Sequence, residues 1–98
     1  MSVDKAAALL ASVTDQLGTA LLDAKDGSIL KSTGELEGED GARAAKTCYQ
    51  IILDTGAVLD TEPLRRITIS FNSFQYVMTL SSGWLLIVKK NADPVPTA

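Results

Sequence analysis

Three strand-like segments follow one another in the second half of the chain, with only two residues between neighbours. They cover residues 64–71, 74–81 and 84–88. The first two alternate between apolar and polar side chains, the period of a half-buried strand. Connections as short as Asn72-Ser73 and Ser82-Gly83 join strands only as antiparallel hairpins. The sequence therefore predicts an antiparallel meander, whose unbroken apolar run 84–88 is typical of a strand covered on both faces.

The first half of the chain predicts a short helix and a second antiparallel pair. Apolar residues recur at helical spacing in residues 2–14. Strand-like segments at 17–23 and 28–33 flank a turn that contains the pair Asp26-Gly27, a strong turn signal. The second of these strands ends in polar residues, as suits the edge of a sheet.

A longer helix connects the two groups of strands. It is predicted from about Ala42 to Gly56, or one turn further to Leu59, and acidic residues precede it, where they complement the helix dipole. The predicted fold class is an α/β (α+β) sandwich: a five-stranded antiparallel sheet with a short N-terminal helix and one long crossover helix. We assign residues 1–91 to this domain and expect residues 92–98, with their two prolines, to form a flexible C-terminal tail.

The long helix carries more apolar surface than one sheet can cover. On a helical wheel its apolar arc spans roughly 200°, against the ~100° stripe that faces a single sheet. Four residues can pack on the sheet: Ala45, Cys48, Tyr49 and Ile52. Three remain on one flank: Ala44, Ile51 and Val58. The N-terminal helix or the tail could cover this flank, but a partner subunit is favoured because exposed apolar area costs about 25 cal/mol per Å².

The residue types argue against catalysis. The chain has no histidine and a single cysteine, so histidine-based nucleophile pairs and the usual metal clusters are excluded, and no phosphate-binding glycine motif occurs. We therefore expect no enzyme activity, no cofactor and no metal, and we expect Cys48 to be a small core residue. A net charge of −3 also argues against nucleic-acid binding. The pair Arg65-Arg66 is the best polar candidate for a contact with a partner, or else protects a strand edge.

The N-terminus lacks the cationic and apolar regions of a signal peptide, and no apolar run approaches the ~20 residues that cross a bilayer. We expect a cytosolic protein, or one that reaches a membrane surface only through a partner.

Four short stretches carry a resemblance to a known family through their order and spacing. They are Asp15-Gln16-Leu17-Gly18, Ser32-Thr33-Gly34-Glu35-Leu36-Glu37, Leu64-Arg65-Arg66-Ile67-Thr68-Ile69-Ser70-Phe71 and Leu86-Ile87-Val88-Lys89-Lys90-Asn91. Together they resemble the roadblock fold, a longin-like scaffold, and within it the fourth-subunit type of Ragulator, the late endosomal and lysosomal adaptor, MAPK and MTOR activator (LAMTOR) complex. The resemblance covers about residues 12–91. Other roadblock domains end in a third helix, whereas this chain ends in its proline-containing segment, which favours the Ragulator type.

The resemblance implies a heterodimer with a second roadblock-type subunit, formed through the long helix and the adjacent strand. The implied interface residues are Ala44, Thr47, Ile51, Val58, Leu64, Arg66 and Thr68. A lipid-anchored scaffold subunit would wrap the pair and hold it, as a peripheral assembly, on the cytoplasmic face of the lysosomal, late endosomal or vacuolar membrane. The complex would recruit Rag-type GTPases and support amino-acid-dependent signalling by TOR complex one. The resemblance implies no catalytic residues.

Two alternatives stay open. The chain could be a homodimeric roadblock-type regulator of a small GTPase, or a small-molecule sensor related to profilin-like or PAS-like sandwiches. A homodimer in isolation would indicate the first, and a ligand retained through purification would indicate the second.

Overall fold

The computed structural model describes residues 3–58 and 64–92, with the side chains of residues 3–56 and 64–92. Within these residues the chain forms helices and strands in the predicted order. They are α1 (Val3–Ala11), β1 (Gln16–Asp23), β2 (Ile29–Gly34), α2 (Gly38–Val58), β3 (Arg66–Ser70), β4 (Phe74–Ser81) and β5 (Trp84–Asn91). The predicted tail lies outside the described residues from position 93 onward.

The strands form a five-stranded sheet in the order β2-β1-β5-β4-β3, and all neighbours are antiparallel. The two hairpin groups thus meet where β1 pairs with β5, and α2 is the crossover that joins β2 to β3. This confirms the predicted fold class. It leaves β2 and β3 at the two edges of the sheet and places β5 at its centre.

Each face of the sheet has its own hydrophobic cluster. Under α2, Leu22, Met78, Leu85 and Ile87 pack against the helix, and all are buried. Under α1, Leu10 and Ala6 pack on Leu21 and Val88. Successive β5 residues therefore serve opposite faces, since Leu85 and Ile87 meet α2 while Leu86 and Val88 lie on the α1 side. The prediction of a strand covered on both faces is confirmed.

The long helix begins at Gly38, four residues before the predicted start at Ala42. The sequence places Gly41 in a loop, but in the structure it lies in the first helical turn, against the backbone of Leu36, where a Cβ would overlap. Leu36 itself is buried in the cluster under α2. The glycine is thus needed for close packing, and the acidic residues Glu39 and Asp40 lie in the first turn of the helix.

The central strand β5 extends beyond the apolar run that ends at Val88, through the two lysines to Asn91. Lys89 is accommodated because its Nζ lies 2.9 Å from Glu35 Oε1 and 4.6 Å from the centre of the Phe74 ring. The hydrogen bond to Glu35 raises the pKa of Lys89 above its ordinary value. Neighbouring groups that favour the charged form allow a lysine to sit in a half-buried strand.

The β1–β2 hairpin is fastened to α2 by side chains of the helix. The Tyr49 hydroxyl donates toward the carbonyl oxygens of Ala24 (3.2 Å) and Lys25 (3.1 Å). Lys46 Nζ donates to the carbonyl of Gly27 at 2.7 Å. Gly27 has a φ of +74°, and its Cα faces the Tyr49 ring so closely that a Cβ would lie 2.6 Å from it.

Gly27→Ala should therefore lower the free energy of unfolding by about 2–3 kcal/mol, the sum of left-handed backbone strain and crowding against Tyr49. Urea denaturation followed by circular dichroism measures this. The matched control is Gly83→Ala, because Gly83 has a φ of +83° but open space around it. Its cost should be only the backbone strain, about 1–2 kcal/mol. Equal losses for the two variants would contradict the role assigned to the Tyr49 contact.

Candidate interaction surface

Strand β3 is an open edge of the sheet. In the part of the chain that the structure describes, no strand pairs with its outer side. Phe71 N–H donates to the carbonyl of Phe74 and Leu80 N–H to that of Arg65, both at 2.8 Å. Residues at odd positions of β3 thus direct their backbone groups toward β4, and alternation leaves those of Arg66, Thr68 and Ser70 pointing outward.

The other edge, β2, is blunted. Leu21 pairs with Lys31 and Leu22 with Ile29, so that Leu30 forms a bulge on the edge strand. Lys31 on this strand is held by an ion pair with Asp4 of α1, 2.9 Å long. A bulge and a charged side chain are the usual protections of an edge against pairing with another chain. The sheet is therefore open to extension at β3 rather than at β2.

Arg66 does not protect the β3 edge in this way. Its Nε donates to Thr79 Oγ1 at 3.2 Å, so the guanidinium turns inward across the sheet toward β4. The outward backbone groups of β3 remain accessible. Of the two readings of the Arg65-Arg66 pair, the geometry of Arg66 disfavours edge protection.

An apolar groove of about 490 Å³ runs beside this edge, between α2 and the ends of β3 and β4. Its apolar lining consists of Ala44, Cys48, Ile51, Ile69, Phe71 and Tyr76. Phe71 is 51% exposed at the end of the groove, stacked on Phe74 with ring centres 4.8 Å apart. An exposed aromatic ring beside an unpaired strand edge is suited to burial against another protein.

The structure brings together some of the interface residues that the sequence implied. Ala44, Thr47 and Ile51 lie side by side in the groove, and the side chains of Ala44 and Ile51 are half-buried there. Leu64 packs against the cluster under α2. The side chain of Val58 lies outside the described residues.

Arg66 and Thr68 lie apart from the helix residues. Their side chains are on the α1 face of the sheet, where they line a second groove. Only their outward backbone groups belong to the same edge as the helix flank. The predicted set thus divides between the two faces of the sheet, with the edge of β3 between them.

Sequence reasoning missed the strand residues that complete the groove: Ile69, Phe71 and Tyr76. The alternation of the sequence places Ile69 and Phe71 on one face of their strand, and Phe74 and Tyr76 on one face of the next strand. The signal that could have found them is the two-residue connection, which brings the aromatic side chains of the two strands together on that face. Leu53, another apolar residue of the long helix, is exposed and lines neither groove.

The thiol of Cys48 faces the groove from α2 but is buried within the cluster. Burial raises its pKa to about 11, because a thiolate would lose hydration there. The thiol is therefore protonated at neutral pH and acts as a small core side chain.

Among the described residues, no group of three or more His, Cys, Asp or Glu side chains is placed to hold a metal ion. None of the helices described is long and apolar enough to cross a membrane.

Solved structures share this fold. A Roadblock/LC7 domain from Streptomyces avermitilis is 18% identical over 93% of this chain and 79% of that one, with a TM-score of 0.72. MglB from Myxococcus xanthus is 14% identical with the same coverage and a TM-score of 0.71. An MglB in a tetrameric arrangement is 15% identical over 90% of this chain and 71% of that one, with a TM-score of 0.71. No family model and no curated protein matches the sequence. The similarity shows the fold, which is that of the Roadblock/LC7 domain.

Proposed function

We propose that this chain is a non-catalytic subunit that pairs with a second roadblock-type subunit along β3. The proposal rests on its Roadblock/LC7 fold and on the sheet edge that β3 leaves open among the described residues. The observation that carries the proposal is the contrast between the two edges. β2 is blunted by a bulge and an ion-paired lysine, while β3 presents the backbone groups of Arg66, Thr68 and Ser70 outward. A partner strand laid antiparallel to β3 would satisfy these groups and extend the sheet.

The groove supplies the apolar part of the same contact. A helix or strand of the partner that sits beside β3 would cover Ala44 and Ile51 on α2 and the exposed ring of Phe71. Backbone pairing along the edge provides register, and apolar burial in the groove provides affinity. The two features adjoin each other, so one partner can use both.

The finer proposal is a scaffold subunit of a Ragulator-type complex. In this proposal a lipid-anchored scaffold subunit holds the pair on the cytoplasmic face of the lysosomal, late endosomal or vacuolar membrane. The assembly recruits Rag-type GTPases for amino-acid-dependent signalling through TOR complex one. The support is the resemblance of four short stretches, of which one spans β3 and another the end of the central strand β5.

A second candidate is a homodimeric roadblock-type regulator of a small GTPase. One observation favours it: β3 is compatible with a copy of itself. With Thr68 opposite the Thr68 of a second copy, Arg66 would pair with Ser70, every outward backbone group would find a partner, and no like charges would face each other.

The test is to tag the chain at its N-terminus, purify it gently from its native cells and measure the mass and composition of what returns. A fixed one-to-one ratio with a second small protein of roadblock type, together with a lipidated scaffold and Rag-type GTPases, is the expected result. A homodimer without these would replace it with the second candidate. A monomer without a partner would contradict both.

A further inference from the structure

Phe71 is an aromatic residue that is exposed to water and yet held by its neighbours. It follows β3 directly, and among the described residues it is the one aromatic residue more than half exposed, at 51%. Its ring stacks on that of Phe74, with centres 4.8 Å apart and planes 28° from parallel. The Tyr76 ring meets it edge-on at 6.4 Å. Its N–H donates to the carbonyl of Phe74 at 2.8 Å, so both its backbone and its ring have fixed contacts.

Phe74, on which this ring stacks, is held in turn by a cation. Lys89 Nζ lies 4.6 Å from the centre of the Phe74 ring and 5.8 Å from that of Tyr76. The Lys89 side chain is 16% exposed, and Glu35 Oε1 lies 2.9 Å from its Nζ. An ammonium between a carboxylate and aromatic rings is confined there, because moving away would break both interactions. A chain of contacts therefore runs from Glu35 through Lys89 and Phe74 to Phe71.

This chain of contacts orders the ring of Phe71 before any partner binds. Immobilising a mobile side chain at an interface opposes association. The stacking on Phe74 already restricts the ring in the free chain, while about half of the residue remains available for burial. Aromatic side chains are enriched in the buried centres of interfaces, where a few well-packed residues carry most of the affinity.

The surroundings of Phe71 indicate the chemistry of the partner residues that cover it. The groove that it closes is lined by aliphatic side chains such as Ile51 and Ile69. The two charged residues of the groove, Asp40 and Arg43, form an ion pair with each other at 3.3 Å. A charged partner residue buried here would meet no unpaired opposite charge and would lose its hydration. Aliphatic partner residues fit this place.

We propose that Phe71 carries most of the affinity of the pair by inserting between aliphatic side chains of the partner subunit, and that Lys89 is a positioning residue that acts through Phe74. This inference rests on the pairing along β3 proposed above. It adds to that pairing the residue on which its strength depends and the contacts that hold this residue ready.

Phe71→Ala tests the first part, with the full-length chain titrated against the small subunit that co-purifies with it, or against itself if it returns as a homodimer. Sedimentation velocity should show a dissociation constant raised about 30-fold or more, the loss typical of a dominant interface residue. Leu53→Ala is the matched control, because Leu53 is 44% exposed on α2 but lines neither groove. Its dissociation constant should stay within about twofold of the unchanged protein. Urea denaturation of each chain alone shows that both variants fold.

The positioning role of Lys89 is tested by a double-mutant cycle. Lys89→Met removes the cation but leaves no buried unpaired charge, because Glu35 is 55% exposed, and should raise the dissociation constant about fivefold. Lys89→Arg keeps a cation for the carboxylate and the ring, and should restore the affinity to within about twofold. In a chain that already carries Phe71→Ala, Lys89→Met should cause no further loss, because the ring that it positions is absent.

The possible failures are separable. If Phe71→Ala pairs within about threefold of the unchanged protein while Thr68→Pro abolishes pairing, the contact along β3 stands and the role of Phe71 is wrong. Equal losses from Lys89→Met with and without Phe71 would overturn the positioning role. If Phe71→Ala weakens the pair and Thr68→Pro does not, the role of Phe71 stands and the contact along β3 is wrong. A chain that pairs with nothing overturns both proposals.

Discussion

Thr68→Pro should abolish pairing along β3 while leaving the isolated domain folded. The N–H of Thr68 points away from β4, so its loss removes no hydrogen bond within the sheet. Proline is tolerated on edge strands in this orientation, but it cannot donate to a partner strand and its ring obstructs one. We expect the dissociation constant of the pair to rise about 100-fold, equivalent to ~3 kcal/mol.

The control for this substitution is Thr68→Val, which keeps the N–H and the β-branched shape and should change the affinity by no more than about threefold. Sedimentation velocity with the co-purifying subunit, or with the chain alone if it returns as a homodimer, measures the pairing. Circular dichroism measures the fold of each variant. A folded Thr68→Pro chain that pairs like the unchanged protein would show that the contact does not run along β3.

The sheet could be predicted from the sequence because its signals are local. Two-residue connections allow only antiparallel neighbours, and Ser82 and Gly83 indeed both have positive φ, 52° and 83°, as a tight hairpin requires. The apolar run from Trp84 to Val88 predicts that both faces of β5 are covered, although it does not show which elements cover them. The excess of apolar surface on the long helix likewise predicts that Ala44 and Ile51 lie on a flank that the sheet does not cover. In the structure both residues line the groove beside β3.

The division of the interface residues could not be predicted in the same way. Alternation shows that Arg66 and Thr68 share a face of β3, but it does not show whether that face lies under α1 or under α2. The choice depends on the direction in which the crossover returns to the sheet, which is a long-range property. The side chains of Ile67 and Ile69 pack toward α2, and those of Arg66 and Thr68 therefore form part of the groove beside α1.

The acidic loop before α2 shows a second limit of local patterns. In the sequence, Leu36 is a single apolar residue between Glu35 and Glu37, in a glycine-rich segment that is typical of an exposed loop. In the structure it is 1% exposed and closes the cluster under α2. A loop residue belongs to neither the two-residue repeat of a strand nor the 3.6-residue repeat of a helix, so these patterns cannot predict that the path of the loop buries it. Gly41, which lets the first turn of α2 lie against Leu36, is a sign of this packing in the sequence.

Leu36→Ala should consequently lower the free energy of unfolding by about 3 kcal/mol, as large-to-small changes at fully buried leucines do. Leu30→Ala is the matched control, because Leu30 is 41% exposed on the bulge of β2 and the same change there should cost less than about 0.5 kcal/mol. Urea denaturation of both variants gives the difference directly. If Leu36→Ala unfolds at the same urea concentration as Leu30→Ala, the loop does not close the core. A large difference would show that Leu36 belongs to the core beside the start of α2, where the groove beside β3 begins.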